Sequence, residues 1–169
     1  MIYPIVKYGN EVLGKIAAPV TVFDGELEKL VADMFETMYA AHGVGLAAPQ
    51  VGISKHLCVI DTNTTDEPGT RLVLANPVIV SVEGRQSREE GCLSLPEFRA
   101  ETARPQRATV RAQDVHGQEF TMTGEGLVAR AFCHETDHLN GILFIHHLSA
   151  LKRESIKRKI RKLAKAGEW

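Results

Sequence analysis

The residues best suited to chemistry lie in one short stretch, His134-Glu135-Thr136-Asp137-His138. On an α-helix, residues four positions apart share a face, so the imidazoles of His134 and His138 can bind one metal ion. Glu135 then lies about 100° around the helix, where its carboxylate can take a proton from metal-bound water. The spacing predicts metal-assisted hydrolysis. The same short pattern also occurs on ordinary surface helices with solvated histidines, so a third ligand has to decide between the two interpretations.

A catalytic metal site needs a third protein ligand and one position left for water. A histidine three residues beyond Gly141 would complete one known pattern, but that residue is Phe144. A glutamate on a later helix would complete another, and the candidate there, Glu154, lies in a strongly basic stretch. Cys92 is the better candidate, because a glycine precedes it and a short apolar run closed by proline follows it, as expected of a thiolate at a turn or strand edge. One thiolate with two imidazoles suits Zn or Fe.

Length and composition are those of an ordinary globular chain. Its 169 residues, 44% apolar and 24% charged, fit one domain with a hydrophobic core. A net charge of −1 gives no whole-molecule reason to bind nucleic acid. Three cysteines indicate a reducing compartment, and Cys58 and Cys133 are expected to pack as small apolar side chains. We find neither a signal peptide nor a membrane-spanning apolar run, so we expect a cytoplasmic protein without membrane contact.

The hydrophobic pattern predicts a single α+β domain over residues 1–169, with antiparallel or mixed β-sheets around a central helix that carries the two histidines. A helix in the N-terminal half begins at Asp24 as its N-cap and ends near Gly43. The central helix is predicted to hold Glu125 in its first turn and to end at Gly141. The remaining predictions are irregular chain at 1–22, a loop at 62–70, strands at 55–61 and 71–82 (with a break), and a hairpin of 108–115 with 119–123.

Residues 43–52 form a glycine-rich segment that has two interpretations. Glycine lets the backbone approach a ligand closely, and the amide of Gln50 can donate to a developing oxyanion. Alternatively, the segment is a plain helix-to-strand connection with Gln50 at the surface. Glycine-rich turns are common, so this segment alone favours the connection.

The C-terminal segment is the one strongly charged region. From Ser149 to Trp169, eight Lys or Arg residues stand against two acids. Ser149 can cap a helix at 149–166, with Ile156, Ile160 and Leu163 as a narrow apolar stripe. Such a helix either packs on the body with its basic face in solvent or docks that face on an anionic surface such as RNA.

Three segments together resemble a known family. The sequence GVGLAAPQ at residues 43–50, EGCLS at 90–94 and HETDH at 134–138 are similar, in this order, to the three signature motifs of peptide deformylase. The resemblance spans essentially the whole chain. The long C-terminal helix resembles the form found in many bacteria.

The resemblance implies a role for each motif residue. Cys92, His134 and His138 would be the metal ligands, and Glu135 would be the general acid and base when metal-bound water attacks the formyl carbon. Gln50 and the backbone N–H of Leu93 would hold the oxyanion. The residues expected to contact substrate are Val44, Gly45, Glu90, Arg99, Leu127 and the helix surface near Ala131.

The resemblance also implies the reaction and its partners. The substrate would be the N-terminal formylmethionine of nascent polypeptides, which loses its formyl group as formate. Fe(II) is expected as the native ion, and Zn, Ni or Co can replace it. Independently of the resemblance, if the basic C-terminal helix docks on RNA, its partner would be the ribosome. His146 and His147 are expected at the surface or behind the ligands and not as ligands themselves.

Two other functions fit parts of the pattern. A metallopeptidase of another family would cleave internal peptide bonds, but it would need a ligand downstream of His138. A non-enzymatic ribosome- or RNA-binding module with a structural Zn site would need a fourth ligand, and the sequence offers no convincing one.

Overall fold

The computed structural model describes residues 1–63 and 69–169, so part of the loop predicted at 62–70 lies outside the described residues. The elements in chain order are α1 (Gly25–Ala40), β1 (Gly45–Ala47), β2 (Leu57–Asp61), β3 (Arg71–Glu83), β4 (Gln86–Cys92), β5 (Leu95–Arg104), β6 (Arg107–Gln113), β7 (Glu119–Glu125), α2 (Leu127–Leu139) and α3 (Ala150–Lys165). Short 3-10 turns occur at Glu11–Gly14, Ala48–Val51 and Phe144–His147.

The strands form two antiparallel sheets around α2. One sheet has the order β1-β2-β3-β6-β7, and β4 and β5 form the other. Helix α2 packs on the larger sheet through an apolar face that includes Ala129 and Phe132, both fully buried. The predicted α+β fold around a central helix is therefore confirmed.

Helix α1 forms as its sequence predicts. The side chain of Asp24 accepts a hydrogen bond from the N–H of Leu27 at 3.1 Å, which satisfies one free donor of the first turn. Its apolar stripe, which includes Met34 and Met38, is buried. The helix ends at Ala40, three residues before Gly43. It packs on the sheet beside β1.

The predicted break in β3 is a bulge inside one continuous strand. The register against β6 shifts between Ala75 and Val78, and Asn76 takes a positive φ of 52°. The Asn76 amide compensates for the irregularity, because its Nδ2 donates to the carbonyl of Val20 at 2.9 Å. The predicted hairpin is confirmed as β6 and β7.

The start of α2 differs from the prediction. Glu125 is the last residue of β7 and not part of the helix, because Gly126, with φ of +58°, turns the chain directly from strand to helix. The predicted end is confirmed, since α2 stops at Leu139 and Gly141 has φ of +76°. A Cβ at Gly141 would lie 2.8 Å from the backbone of Gly14, so this turn requires glycine.

Helix α3 is capped by Ser149, whose hydroxyl accepts from the N–H of Lys152 at 3.2 Å. Ile156 and Ile160 are buried against the β5 residue Leu95 and its neighbours, while most of the basic residues are exposed. Among the described residues, no helix combines the length and apolar character needed to cross a membrane.

Candidate active site

Three ligand-type atoms converge where β4 meets α2. Cys92 is the last residue of β4, and His134 and His138 lie one turn apart on α2. The Sγ of Cys92 lies 3.2 Å from Nε2 of His138, which lies 3.2 Å from Nε2 of His134. All three atoms lie within 4.8 Å of one another. The structure therefore brings together the three residues predicted as metal ligands.

This arrangement fits a metal ion. Two nitrogens at about 2.0–2.1 Å from a tetrahedral centre are about 3.3 Å apart, close to the spacing of the two imidazoles. The Nδ1 of His134 lies 2.7 Å from Oε2 of Glu90, and since a carboxylate only accepts, Nδ1 carries a proton and Nε2 is the atom left to face a metal. Burial opposes the charged ring, but the neighbouring Glu135, Cys92 and Glu90 raise the pKa of His134, so a metal at Nε2 would take the place of a proton there. Burial lowers the pKa of His138, which favours the neutral ring that a metal requires.

Glu135 is a buried carboxyl group beside these ligands. Its Oε2 lies 4.0 Å from Nε2 of His134, and its Oε1 has no hydrogen-bond partner among the described residues. Burial raises the pKa of Glu135 to about 7. A carboxyl group with this pKa can accept and return a proton near neutral pH, as a general acid and base must.

Gln50 is buried, so the interpretation that placed it at the surface is wrong. Its Oε1 accepts from the N–H of Ala47 at 3.0 Å, and its Nε2 donates to Ser94 Oγ at 3.1 Å. The same Nε2 lies 3.6 Å from the Sγ of Cys92. The amide is therefore held in one orientation beside the predicted ligands, and Leu93 follows Cys92 directly in the chain.

Glu90 lies behind His134 in a buried ionic cluster. Arg104 donates to it twice, from Nε to Oε1 at 3.1 Å and from Nη2 to Oε2 at 2.6 Å. Arg130 adds a third contact from Nη2 to Oε1 at 3.1 Å. Burial opposes ionisation of Glu90, but the hydrogen bonds from His134 and Arg104 outweigh it and lower the pKa of Glu90 to about 2. In this position Glu90 orients the imidazole of His134.

Sequence reasoning missed the rest of this cluster. Arg104, Arg130 and Asp137 were not predicted as site residues. Arg130 and Asp137 carried a weak signal, because each is a charged residue within about one turn of a predicted ligand on the same helix. Arg104 gave no local signal, since its partners are distant in the chain.

A cleft of about 540 Å³ opens beside the three converging atoms. Val44 and Leu127 are exposed in its wall, where an apolar side chain could bind. Arg99 lies at its rim with Nε 3.7 Å from Oε1 of Glu89. The predicted site residues that line the cleft are Val44, Gly45, Gln50, Glu90, Cys92, Leu93, Arg99, Leu127, Ala131, His134 and Glu135.

A sequence model of the polypeptide deformylase family matches residues 2–154. The chain belongs to this family. It is 57% identical over 169 residues to the peptide deformylase of Acidobacterium capsulatum, covering 100% of this chain and 99% of that one. It is 47% identical over 160 residues to the peptide deformylase of Thermodesulfovibrio yellowstonii, covering 95% and 97% of the two chains.

Solved structures of the family share the fold. A crystal structure of a peptide deformylase from Legionella pneumophila matches with a TM-score of 0.89 and 46% identity, over 99% of this chain and 98% of that one. The peptide deformylase of Thermus thermophilus matches with a TM-score of 0.87 and 44% identity, over 95% and 94%. The predicted family, fold and enzyme class are confirmed, in preference to the peptidase and RNA-binding alternatives.

Proposed function

We propose that this chain removes the formyl group from the N-terminal formylmethionine of nascent polypeptides and releases formate, with the chemistry at Cys92, His134, His138 and Glu135. One observation carries the proposal. A cysteine sulfur and two imidazoles converge at the base of an open cleft, and one oxygen of the buried carboxyl group beside them has no hydrogen-bond partner among the described residues.

Cys92, His134 and His138 would hold the metal ion, for which we expect Fe(II), with Zn, Ni or Co able to replace it. When bound, the ion would lower the pKa of a water molecule at its open position and supply hydroxide at neutral pH. The chain itself prepares the two histidines, because Glu90 holds a proton on Nδ1 of His134 and so leaves Nε2 for the metal, and burial favours the neutral form of His138.

Glu135 would move the proton. It accepts a proton from the attacking water and gives it to the amine that leaves when the C–N bond breaks. Its raised pKa suits both steps. The distance of 4.0 Å between Oε2 of Glu135 and Nε2 of His134 supports a transfer beside the ligands.

Gln50 and Leu93 would stabilise the oxygen of the formyl group as it becomes negative. The Gln50 amide is fixed by Ala47 and Ser94, so it needs little reorganisation when charge develops. The backbone N–H of Leu93 would be the second donor. Each donor of this kind is worth about 3 kcal/mol in the transition state.

The cleft would bind the start of a peptide. Strand β1 is the end strand of its sheet, so one edge of Gly45 can meet the substrate backbone. Val44, Leu127 and Ala131 would surround the methionine side chain, and Arg99 would lie near the substrate at the cleft wall. The carboxylate of Glu90 is instead turned towards Arg104 and His134, so it would act by orienting His134 and not by contacting the substrate.

We also propose that helix α3 contacts the ribosome in the cytoplasm, where nascent chains emerge. Arg158, Arg161 and Lys165 are exposed on one face of the helix, and its apolar residues Ile156 and Ile160 pack inward. A basic face of this kind is attracted to the phosphates of RNA.

Formate release from formyl-Met-Ala-Ser tests the reaction directly. Anaerobically purified protein is expected to release one formate per new free amine, with a metal content near one ion per chain by elemental analysis. Acetyl-Met-Ala-Ser is the matched control substrate and is expected to be left intact. Metal-loaded protein that released no formate would contradict the proposal.

A further inference from the structure

A continuous line of polar contacts runs from His134 to the protein surface. His134 Nδ1 donates to Glu90, and Glu90 also accepts hydrogen bonds from two nitrogens of the Arg104 guanidinium, Nε and Nη2. The third nitrogen of the guanidinium, Nη1, donates to Oδ2 of Asp137 at 2.7 Å. The Nε2 of His147 lies 2.8 Å from the same oxygen.

The inner part of this line is shielded from water and the outer end is not. The side chains of Arg104 and Glu90 are 3% and 8% exposed, whereas His147 is 39% exposed. Charges inside the protein attract one another more strongly than at the surface, so the inner pairs are tightly held. Asp137 contacts the buried Arg104 on one side and the exposed His147 on the other.

The direction of each hydrogen bond follows from the groups present. Asp137 is an acceptor only, so Nε2 of His147 donates to it. Asp137 Oδ2 is thus held by two donors, one from Arg104 and one from His147. The guanidinium of Arg104 is planar and rigid and donates to both Asp137 and Glu90. The position of Asp137 therefore influences the orientation of the guanidinium and, through it, the position of the Glu90 carboxylate. Glu90 in turn sets the rotation of the His134 ring.

We propose that His147 is a positioning residue for the metal site, acting through Asp137, Arg104 and Glu90 on the orientation of His134. The inference rests on the proposed function in one respect, since it takes His134 as a metal ligand. Groups that orient a ligating histidine usually change metal affinity or activity by about 10–100-fold when they are removed. His147 acts from further away, so we expect about a three- to tenfold effect.

The fold itself does not depend on the His147 ring. The turn Phe144–His147 is anchored by the buried side chains of Phe144 and Ile145. The neighbouring His146 also supports it, because its Nδ1 lies 2.9 Å from the N–H of Leu143. Loss of the His147 ring should therefore leave the turn in place and remove its contact to Asp137, together with the closeness of its Nε2 to Nη1 of Arg104 at 3.4 Å.

The test compares His147→Leu, which removes the donor, with His147→Gln, whose amide N–H can restore it. His116→Leu is the control, because His116 is an exposed histidine in the β6–β7 turn, far from this line. Each protein is loaded with Co(II), and the visible spectrum and the rate of metal transfer to a chelator are measured. The kcat and KM for formyl-Met-Ala-Ser are then determined separately.

His147→Leu is expected to shift the Co(II) spectrum, to release metal about three- to tenfold faster, and to lower kcat with KM unchanged. His147→Gln should return these values towards those of the parent protein, and His116→Leu should match it throughout. An unchanged spectrum and release rate in His147→Leu, or equal loss in the Leu and Gln variants, would overturn the proposal. The spectrum and release rate need no turnover, so failure of the deformylase reaction would be seen separately.

Discussion

The carboxyl group of Glu135 packs against the backbone of Gly45, so that a Cβ atom at position 45 would lie 2.7 Å from the carboxyl carbon of Glu135. This contact joins β1, which borders the cleft, to α2, which carries the predicted ligands. The side chain of Glu135 can occupy its place only because position 45 has none.

Gly45→Ala should push Glu135 out of position while leaving the metal ligands intact. A displacement of about 1 Å in a catalytic group can cost about 100-fold in rate, so we expect a fall of that order in kcat. Metal content measured by elemental analysis should stay near that of the parent. Gly25→Ala is the control, because a Cβ at Gly25 meets no atom within 4 Å. Full activity in Gly45→Ala would show that the contact has no bearing on catalysis.

Glu135→Gln should separate proton transfer from metal binding. The amide keeps the shape of the side chain but cannot accept a proton, so formate release should fall by about 100- to 10,000-fold. Metal content should be unchanged, since Glu135 is proposed as a base and not a ligand. If the variant lost its metal instead, the assigned role would be wrong.

The raised pKa of Glu135 predicts how the stability of metal-free protein varies with pH. The ordinary pKa of this group is 4.5 and the folded value is about 7, so the folded state holds the proton more tightly than the unfolded state. The contribution is fully present below about pH 4.5 and is lost as pH rises towards 7 and above. The loss amounts to ~3 kcal/mol at most.

Glu135→Gln cannot ionise, so metal-free protein of this variant should gain in stability over the parent as pH rises from about 5 to 8. Urea unfolding at several pH values measures the difference. Glu90, whose pKa is lowered to about 2, titrates below this window. Parallel pH profiles for the parent and the variant would contradict the assignment of the raised pKa to Glu135.

Neutralising the exposed face of α3 tests ribosome contact. The triple variant Arg158→Gln, Arg161→Gln and Lys165→Gln should weaken co-sedimentation with ribosomes, with the largest loss at low salt. Turnover of formyl-Met-Ala-Ser should stay the same, because the helix lies away from the cleft lining.

A second triple variant controls for the change in net charge. Lys55→Gln, Arg85→Gln and Arg107→Gln remove the same number of positive charges from exposed positions outside α3. This variant should sediment with ribosomes as the parent does. Equal binding by both triple variants and the parent would exclude docking through α3.

Local spacing was enough to predict the helix that carries the chemistry and its end. The four-residue spacing of His134 and His138 fixes their common face whatever surrounds them, and Gly141 ends the helix through its backbone freedom. The start of α2 was predicted wrongly because an acid such as Glu125 favours a first helical turn but also fits the end of an exposed strand. The positive φ of Gly126 turns the chain between Glu125, which ends the strand, and Leu127, which begins the helix.

Long-range contacts account for what the sequence left open. The burial of Gln50 depends on Ser94, 44 residues away, so the glycine-rich segment alone could not show it. Arg104 belongs to the site only because β5 brings it to Glu90 and α2 brings Asp137 to it. Neither pairing has a signature in the spacing of neighbouring residues.

The metal environment of the zinc-loaded protein, measured by X-ray absorption at the zinc edge, tests the central assignment most directly. We expect the zinc to have one sulfur neighbour, from Cys92, at about 2.3 Å and two imidazole nitrogens at about 2.0–2.1 Å, with a further light atom from solvent. A shell without sulfur, or one closed by a fourth protein side chain, would contradict the assignment of Cys92, His134 and His138 as the ligands of a catalytic metal.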